Sequence, residues 1–127
     1  MTYGFTGRLA AVVLLGMAVS PALASERGEL GYKQGALGVS AILASDFQTA
    51  EQQLNRLDGV AARDPLRLIN LGNVYAATGR PFDAQKAYVA AYNAPSVEIV
   101  TADGRDTTTR EVARIAMGRL RMSTAAR

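Results

Sequence analysis

The side chains that most often carry out chemistry in proteins are missing from this sequence. Its 127 residues include no histidine and no cysteine, which excludes Ser-His-Asp and Cys-His nucleophile pairs and the common zinc sites. Asp103 and Asp106 could contact Ca²⁺, but two carboxylates are too few for roughly six to eight oxygen ligands. The N-terminal glycines lack the spacing of a phosphate-binding loop. We therefore expect no enzyme activity, no metal and no cofactor, and favour a binding function.

Three arginines have a spacing that could serve binding. Arg110, Arg114 and Arg121 recur at i, i+4 and i+11, near one face of a helix. Such a face could contact an anionic lipid head group or an acidic protein, or it could simply be solvated. The net charge of the whole chain is only +3, which does not indicate nucleic acid as a partner.

The N-terminal segment, residues 1–24, has the pattern of a secretory signal peptide. Arg8 precedes an apolar and small-residue run of 11, Leu9–Val19, and Ala22-Leu23-Ala24 ends the segment on a small-x-small motif. The alternative is a retained membrane anchor, which we disfavour because the run is shorter than the roughly 20 apolar residues that span a bilayer. We expect cleavage after Ala24 and no stable membrane span in the mature chain. Because a cysteine-free exported domain suits a bacterial periplasm, we expect a periplasmic or secreted protein.

Helix signals divide the mature chain. Residues 25–32 predict a flexible tether, followed by helices over about 33–44 and 47–60, the second opened by a Ser45 capping box. Asp64-Pro65 opens a third helix that Gly79 closes, and Pro81 opens a fourth.

The pattern changes after the fourth helix. Residues 96–108 predict a loop or a short β-hairpin. Thr108-x-x-Glu111 then opens a fifth helix within 109–127. The predicted apolar stripe of this helix consists of Val112, Ile115, Ala116 and Leu120.

Two segments of the helical region repeat at one fixed offset, which we call the repeat spacing. Leu37-Gly38 recurs as Leu71-Gly72, and Leu54 recurs as Tyr88 at the same offset. A fixed period of about 34 residues is typical of stacked helix pairs. Glycine inside a helix costs about 1 kcal/mol relative to alanine. Close approach of a neighbouring helix at Gly38 and Gly72 would explain why glycine stands there, with Ala50 and Ala84 as the small residues of the partner helices.

This pattern resembles the tetratricopeptide repeat (TPR) family. Leu68, Leu71-Gly72 and Tyr75 match the first helix of its repeat, and Ala84, Tyr88 and Ala91 match the second. The resemblance covers about residues 32–95 as two units, 33–62 and 64–95, of which the second matches better. It implies an all-α fold of antiparallel helix hairpins, a TPR-like α-solenoid. Because stacked repeats usually need about three units, we expect residues 111–122 to cap the stack, or the chain to self-associate there.

The resemblance also implies a function. In this family the first helix of each unit lines a concave groove that holds a peptide, and the corresponding positions here are Leu66, Ile69, Asn70, Asn73 and Ala77. The two amide side chains could pair with a peptide backbone in either direction, or merely solvate an exposed face. The implied protein is a small exported adaptor for a protein or peptide partner. The alternative is an envelope-associated structural module that contacts anionic lipid or an assembly through its arginine-rich C-terminal helix.

Overall fold

The computed structural model describes residues 8–9, 31–57, 59–101 and 104–127. Within them the protein is mostly helical, with one small sheet. Apart from Arg8 and Leu9, the predicted signal peptide lies outside the described residues, as do most of the predicted tether and Asp103. The elements in chain order are β1 (Arg8–Leu9), α1 (Val39–Leu43), α2 (Phe47–Asn55), α3 (Pro65–Ala77), α4 (Pro81–Asn93), β2 (Glu98–Val100), β3 (Asp106–Thr108) and α5 (Thr109–Ala125).

The first helix is much shorter than the sequence predicts. It begins at Val39, and Gly38 precedes it as the N-cap with φ of 65°. Gly35, also in the predicted helix, has φ of 83°. Both values lie in the left-handed region, which interrupts a right-handed helix and favours glycine. The prediction that Gly38 lies in the middle of a helix is therefore wrong.

The second helix begins at Phe47 as predicted, but its N-cap residue and its end differ from the prediction. Its N-cap is Asp46 rather than Ser45, with the Asp46 side chain accepting a hydrogen bond of 3.1 Å from the Thr49 amide. The helix ends at Asn55 because Leu57 has φ of 53°, a left-handed conformation that costs a non-glycine residue about 1–2 kcal/mol. Leu57 is exposed, whereas Ala50 and Leu54 are fully buried.

Helices α3 and α4 begin and end close to where the sequence predicts. Asp64 caps α3 by accepting hydrogen bonds from the amides of Leu66 and Arg67, at 2.9 and 3.1 Å. Gly79 follows α3 with φ of 73° and permits the chain to reverse. The buried stripe of α4 consists of Ala84, Ala87, Tyr88 and Ala91.

Neighbouring helices approach closely at both glycines of the repeat spacing. A Cβ atom added at Gly72 would lie 2.6 Å from Tyr88 Cδ1. A Cβ atom at Gly38 would lie 3.3 Å from the Ala50 carbonyl oxygen and 3.4 Å from Leu54 Cγ. Because Leu54 and Tyr88 are themselves separated by the repeat spacing, corresponding positions make the contact in both segments. The approach at Gly72 involves Tyr88 rather than the expected Ala84.

The hairpin alternative for residues 96–108 is confirmed. Strand β2 pairs antiparallel with β3, with Ile99 opposite Thr107. Backbone hydrogen bonds extend the ladder, from the Thr109 amide to the Val97 carbonyl at 2.9 Å and from the Thr101 amide to the Arg105 carbonyl at 2.8 Å. On its other edge β2 pairs in parallel with β1.

The last helix packs against α3 and α4. Thr108 caps it as predicted, by accepting a hydrogen bond of 3.2 Å from the Glu111 amide. Val112 and Ala113 are buried, but Ile115 is 38% exposed. With about 3.6 residues per turn, Ala113 lies to one side of Val112 on the helix surface and Ile115 lies to the other side. The prediction that Ile115 belongs to the buried stripe is therefore wrong.

Candidate functional site

The predicted binding residues of α3 lie inside the protein. Leu66, Ile69 and Asn70 are at most 1% exposed, and Asn73 is 8% exposed. Of the five residues only Ala77, in the last turn of α3, is exposed. The prediction that these side chains line an open groove is therefore wrong for the four buried ones.

The chain itself packs on this face of α3. Leu66 and Ile69 belong to a buried cluster that includes Leu37, Ile99 and Val112. These three residues come from the turns before α1, from β2 and from α5. The packing buries the position at which the TPR resemblance places a partner.

The two asparagines use their amides within the fold. Asn70 Nδ2 donates a buried hydrogen bond of 3.0 Å to the Leu37 carbonyl. This bond joins α3 to the turn before α1 within the same chain, so it is a tertiary contact of the fold. Asn73 Oδ1 accepts a hydrogen bond of 2.7 Å from the Tyr88 hydroxyl, and burial raises the pKa of Tyr88 to about 12. Replacing either asparagine would therefore test stability rather than binding.

A buried arginine, not predicted from the sequence, connects α3 to the preceding helix. Arg67 is 7% exposed, and its Nε donates a hydrogen bond of 2.6 Å to the carbonyl of Leu54 near the end of α2. A second guanidinium nitrogen donates to the Ala62 carbonyl at 3.0 Å. Desolvation by burial lowers the pKa of Arg67 from its usual value. The guanidinium thus satisfies the Leu54 carbonyl in the last turn of α2, where carbonyls have no intrahelical partner, and also bonds to the Ala62 carbonyl in the turn before α3.

The three arginines of α5 lie near one face of the helix, and two of them bind groups of the chain itself. Arg110 Nε donates a hydrogen bond of 3.1 Å to the Tyr92 carbonyl. The Arg114 guanidinium binds both carboxylate oxygens of Glu111, at 2.5 and 2.8 Å, and these hydrogen bonds lower the pKa of Glu111. Arg121 is exposed in the last turns of the helix. Of the three arginines, Arg121 is therefore the one most accessible to a partner.

An exposed apolar stripe, absent from the sequence-based site prediction, lies on the outer side of α4. Phe82, Val89 and Tyr92 recur at i, i+7 and i+10, which places them along one side of a helix. Phe82 is 86% exposed, and Val89 and Tyr92 are each 39% exposed. The Arg110 guanidinium lies 5.9 Å from the centre of the Tyr92 ring. We call these three α4 residues the outer patch.

The outer patch has a recognisable sequence signal. The buried stripe of α4 is already formed by its alanines and Tyr88. An additional aromatic residue at position 82 must therefore lie on another side of this helix. Large apolar side chains that are exposed together often mark a contact surface.

Two other kinds of site are absent from the described part of the chain. No described helix is both long enough and apolar enough to cross a membrane. No group of three His, Cys, Asp or Glu side chains within the described ranges could hold a metal ion.

Comparisons with protein-family models, with curated proteins and with solved structures gave no match. The resemblance to the TPR family therefore depends on the residues quoted for it.

Proposed function

We propose that the protein is a small exported adaptor built from two TPR-like helix pairs, and that it binds a protein partner through the outer patch. The TPR assignment is supported by the equivalent close contacts at Gly38 and Gly72. Export is supported by the apolar run and the small-x-small motif before Ser25. Because the face of α3 that the resemblance assigns to a groove is buried, we assign the partner to the outer side of α4 instead.

The observation that carries the binding function is the exposure of Phe82. A phenylalanine side chain that stays in water forgoes about 2 kcal/mol of burial free energy. Aromatic side chains dominate the energetics of interfaces because they bury a large area with few rotatable bonds. Tyr92 adds a second aromatic residue to the outer patch, and the Arg110 guanidinium lies 5.9 Å from the centre of its ring. Aromatic residues and arginine are enriched at protein interfaces.

Affinity capture tests this proposal. The Phe82→Ser protein should capture about thirtyfold less of the main partner that the wild-type protein captures from native envelope extract. A loss of this size is typical of an interface hot spot. Met122→Ser is the matched control, because Met122 is 75% exposed but lies on α5. Both variants should melt at the wild-type temperature. Undiminished capture by Phe82→Ser, or equal loss in both variants, would contradict the proposal.

The distribution of charge favours a second candidate function. Residues 104–127 hold six of the 14 Lys and Arg residues but only two of the 11 Asp and Glu residues. An envelope module could use this excess to contact anionic lipid through Arg110, Arg114 and Arg121. Sedimentation with vesicles separates the two functions. A lipid-bound module should pellet with anionic vesicles and be released by salt and by Arg121→Gln, whereas the adaptor should remain in solution.

A further inference from the structure

Strand β2 is the middle strand of the sheet, with β3 on one edge and β1 on the other. The Val97 carbonyl accepts a hydrogen bond of 2.9 Å from the Thr109 amide, and the Thr101 amide donates one of 2.8 Å to the Arg105 carbonyl. Between these two bonds, Ile99 lies opposite Thr107 of β3. Successive residues of a strand direct their backbone groups to alternate edges. The amides and carbonyls of Glu98 and Val100 therefore face away from β3, toward the edge that pairs with β1.

In the full chain this edge is occupied by β1. Arg8 lies opposite Ile99 and Leu9 opposite Val100, in parallel. In a parallel ladder, the residue opposite Ile99 bonds to the residues on either side of Ile99. The Arg8 amide thus faces the Glu98 carbonyl, and the Arg8 carbonyl faces the Val100 amide. The backbone groups of Leu9 face away from β2.

We propose that the β2 edge is a strand-accepting site, held by β1 in the full chain and opened when residues 1–24 are removed. This inference rests on the proposed export, because cleavage after Ala24 removes β1 from the chain. An edge strand that loses its neighbour presents unpaired backbone groups, which readily pair with an extended segment of another chain.

The occupant is an extended segment of a partner that runs parallel to β2. Backbone hydrogen bonds supply the binding, so the residue opposite Ile99 cannot be proline. Its neighbour opposite Glu98 would lie on the exposed outer face beside a carboxylate, where a cation would form a favourable cross-strand pair. Ile99 itself is 2% exposed and anchors β2 in the main buried cluster. The edge is therefore fixed to the body of the protein.

Amide hydrogen exchange of two proline variants of the full chain tests the site. Arg8→Pro removes the amide that faces Glu98, whereas Leu9→Pro removes one that faces away and keeps Arg8 extended. We expect exchange of the Val100 amide to accelerate about tenfold in Arg8→Pro, the effect of losing one hydrogen bond. It should stay at the wild-type rate in Leu9→Pro. The Ile99 amide, which faces β3, should exchange at the wild-type rate in both variants.

A peptide added in trans tests whether the vacated edge accepts another chain. The peptide with the sequence of residues 6–11, TGRLAA, should restore protection of Val100 in the Arg8→Pro protein. N-methylation at the arginine should abolish this effect, and N-methylation at the leucine should preserve it. Equal Val100 protection in all three proteins, loss of Ile99 protection together with Val100, or failure of the peptide to restore protection would each overturn the proposed site. None of these results would alter the Phe82 capture experiment, so the two proposals fail separately.

Discussion

Replacing Gly72 by leucine should lower the free energy of unfolding by about 3 kcal/mol. The first atom of any side chain there would lie 2.6 Å from Tyr88 Cδ1. The ring cannot move aside cheaply, because Tyr88 is 3% exposed and its hydroxyl is bonded to Asn73. Leucine is a better helix former than glycine by about 0.8 kcal/mol, so intrinsic propensity alone predicts stabilisation. The steric term should exceed it and set the sign.

A second helical glycine supplies the matched control. Gly118 lies within α5, and a Cβ atom there would meet nothing within 4 Å. Gly118→Leu should therefore raise the free energy of unfolding by about 0.5 kcal/mol, through helix propensity alone. Urea unfolding of both variants, followed by circular dichroism, measures the two changes. Changes of the same sign in the two variants would contradict the steric explanation.

Replacing Arg67 by methionine should destabilise the protein by about 3 kcal/mol. Methionine preserves much of the apolar stem but removes every donor of the guanidinium. The Leu54 carbonyl, which accepts a buried hydrogen bond of 2.6 Å, would lose that partner. The carbonyl of Ala62 would lose its 3.0 Å bond as well. A buried acceptor without a donor costs about 1–3 kcal/mol.

Arg63 provides the comparison for Arg67. It is exposed just before α3, so Arg63→Met should change the free energy of unfolding by less than about 0.5 kcal/mol. Urea denaturation can report both values under the same conditions. If Arg67→Met were as stable as Arg63→Met, the guanidinium would not hold α2 and α3 together.

Local signals predicted the second helix pair well. Asp64-Pro65 opens α3, and Gly79 and Pro81 separate it from α4, because cap hydrogen bonds, the fixed φ of proline and a left-handed glycine act within a few residues. Thr108 caps α5 for the same reason. Such features need no knowledge of the rest of the fold.

The first segment was predicted less well because tertiary contacts override its local preferences. The repeat spacing correctly identified Gly38 as a place of close approach, but its φ of 65° puts it before a helix rather than inside one. Nothing near Leu57 in the sequence requires the left-handed conformation that ends α2. The bond from Arg67 to Leu54 joins residues 13 apart and depends on how α2 and α3 pack.

The exposure of four predicted site residues was wrong because the prediction assumed that one face of α3 is free. Every residue from Pro65 to Val74 is buried. A sequence signal for this was present, since Leu66 and Ile69 occupy one side of the helix while Leu68 and Leu71 occupy another. A helix that is apolar on several sides lies in the interior. Conversely, Phe82 adds an aromatic residue to a helix whose buried stripe was already complete.

The close approach at the two glycines of the repeat spacing is the structural observation that supports the proposed repeat. A double-mutant cycle between Gly72→Ala and Tyr88→Leu tests this contact most directly, since leucine is the residue that the first segment has at the corresponding position, Leu54. We predict that Gly72→Ala destabilises the wild-type background by at least about 1 kcal/mol more than the Tyr88→Leu background. An equal cost in the two backgrounds would contradict the close contact.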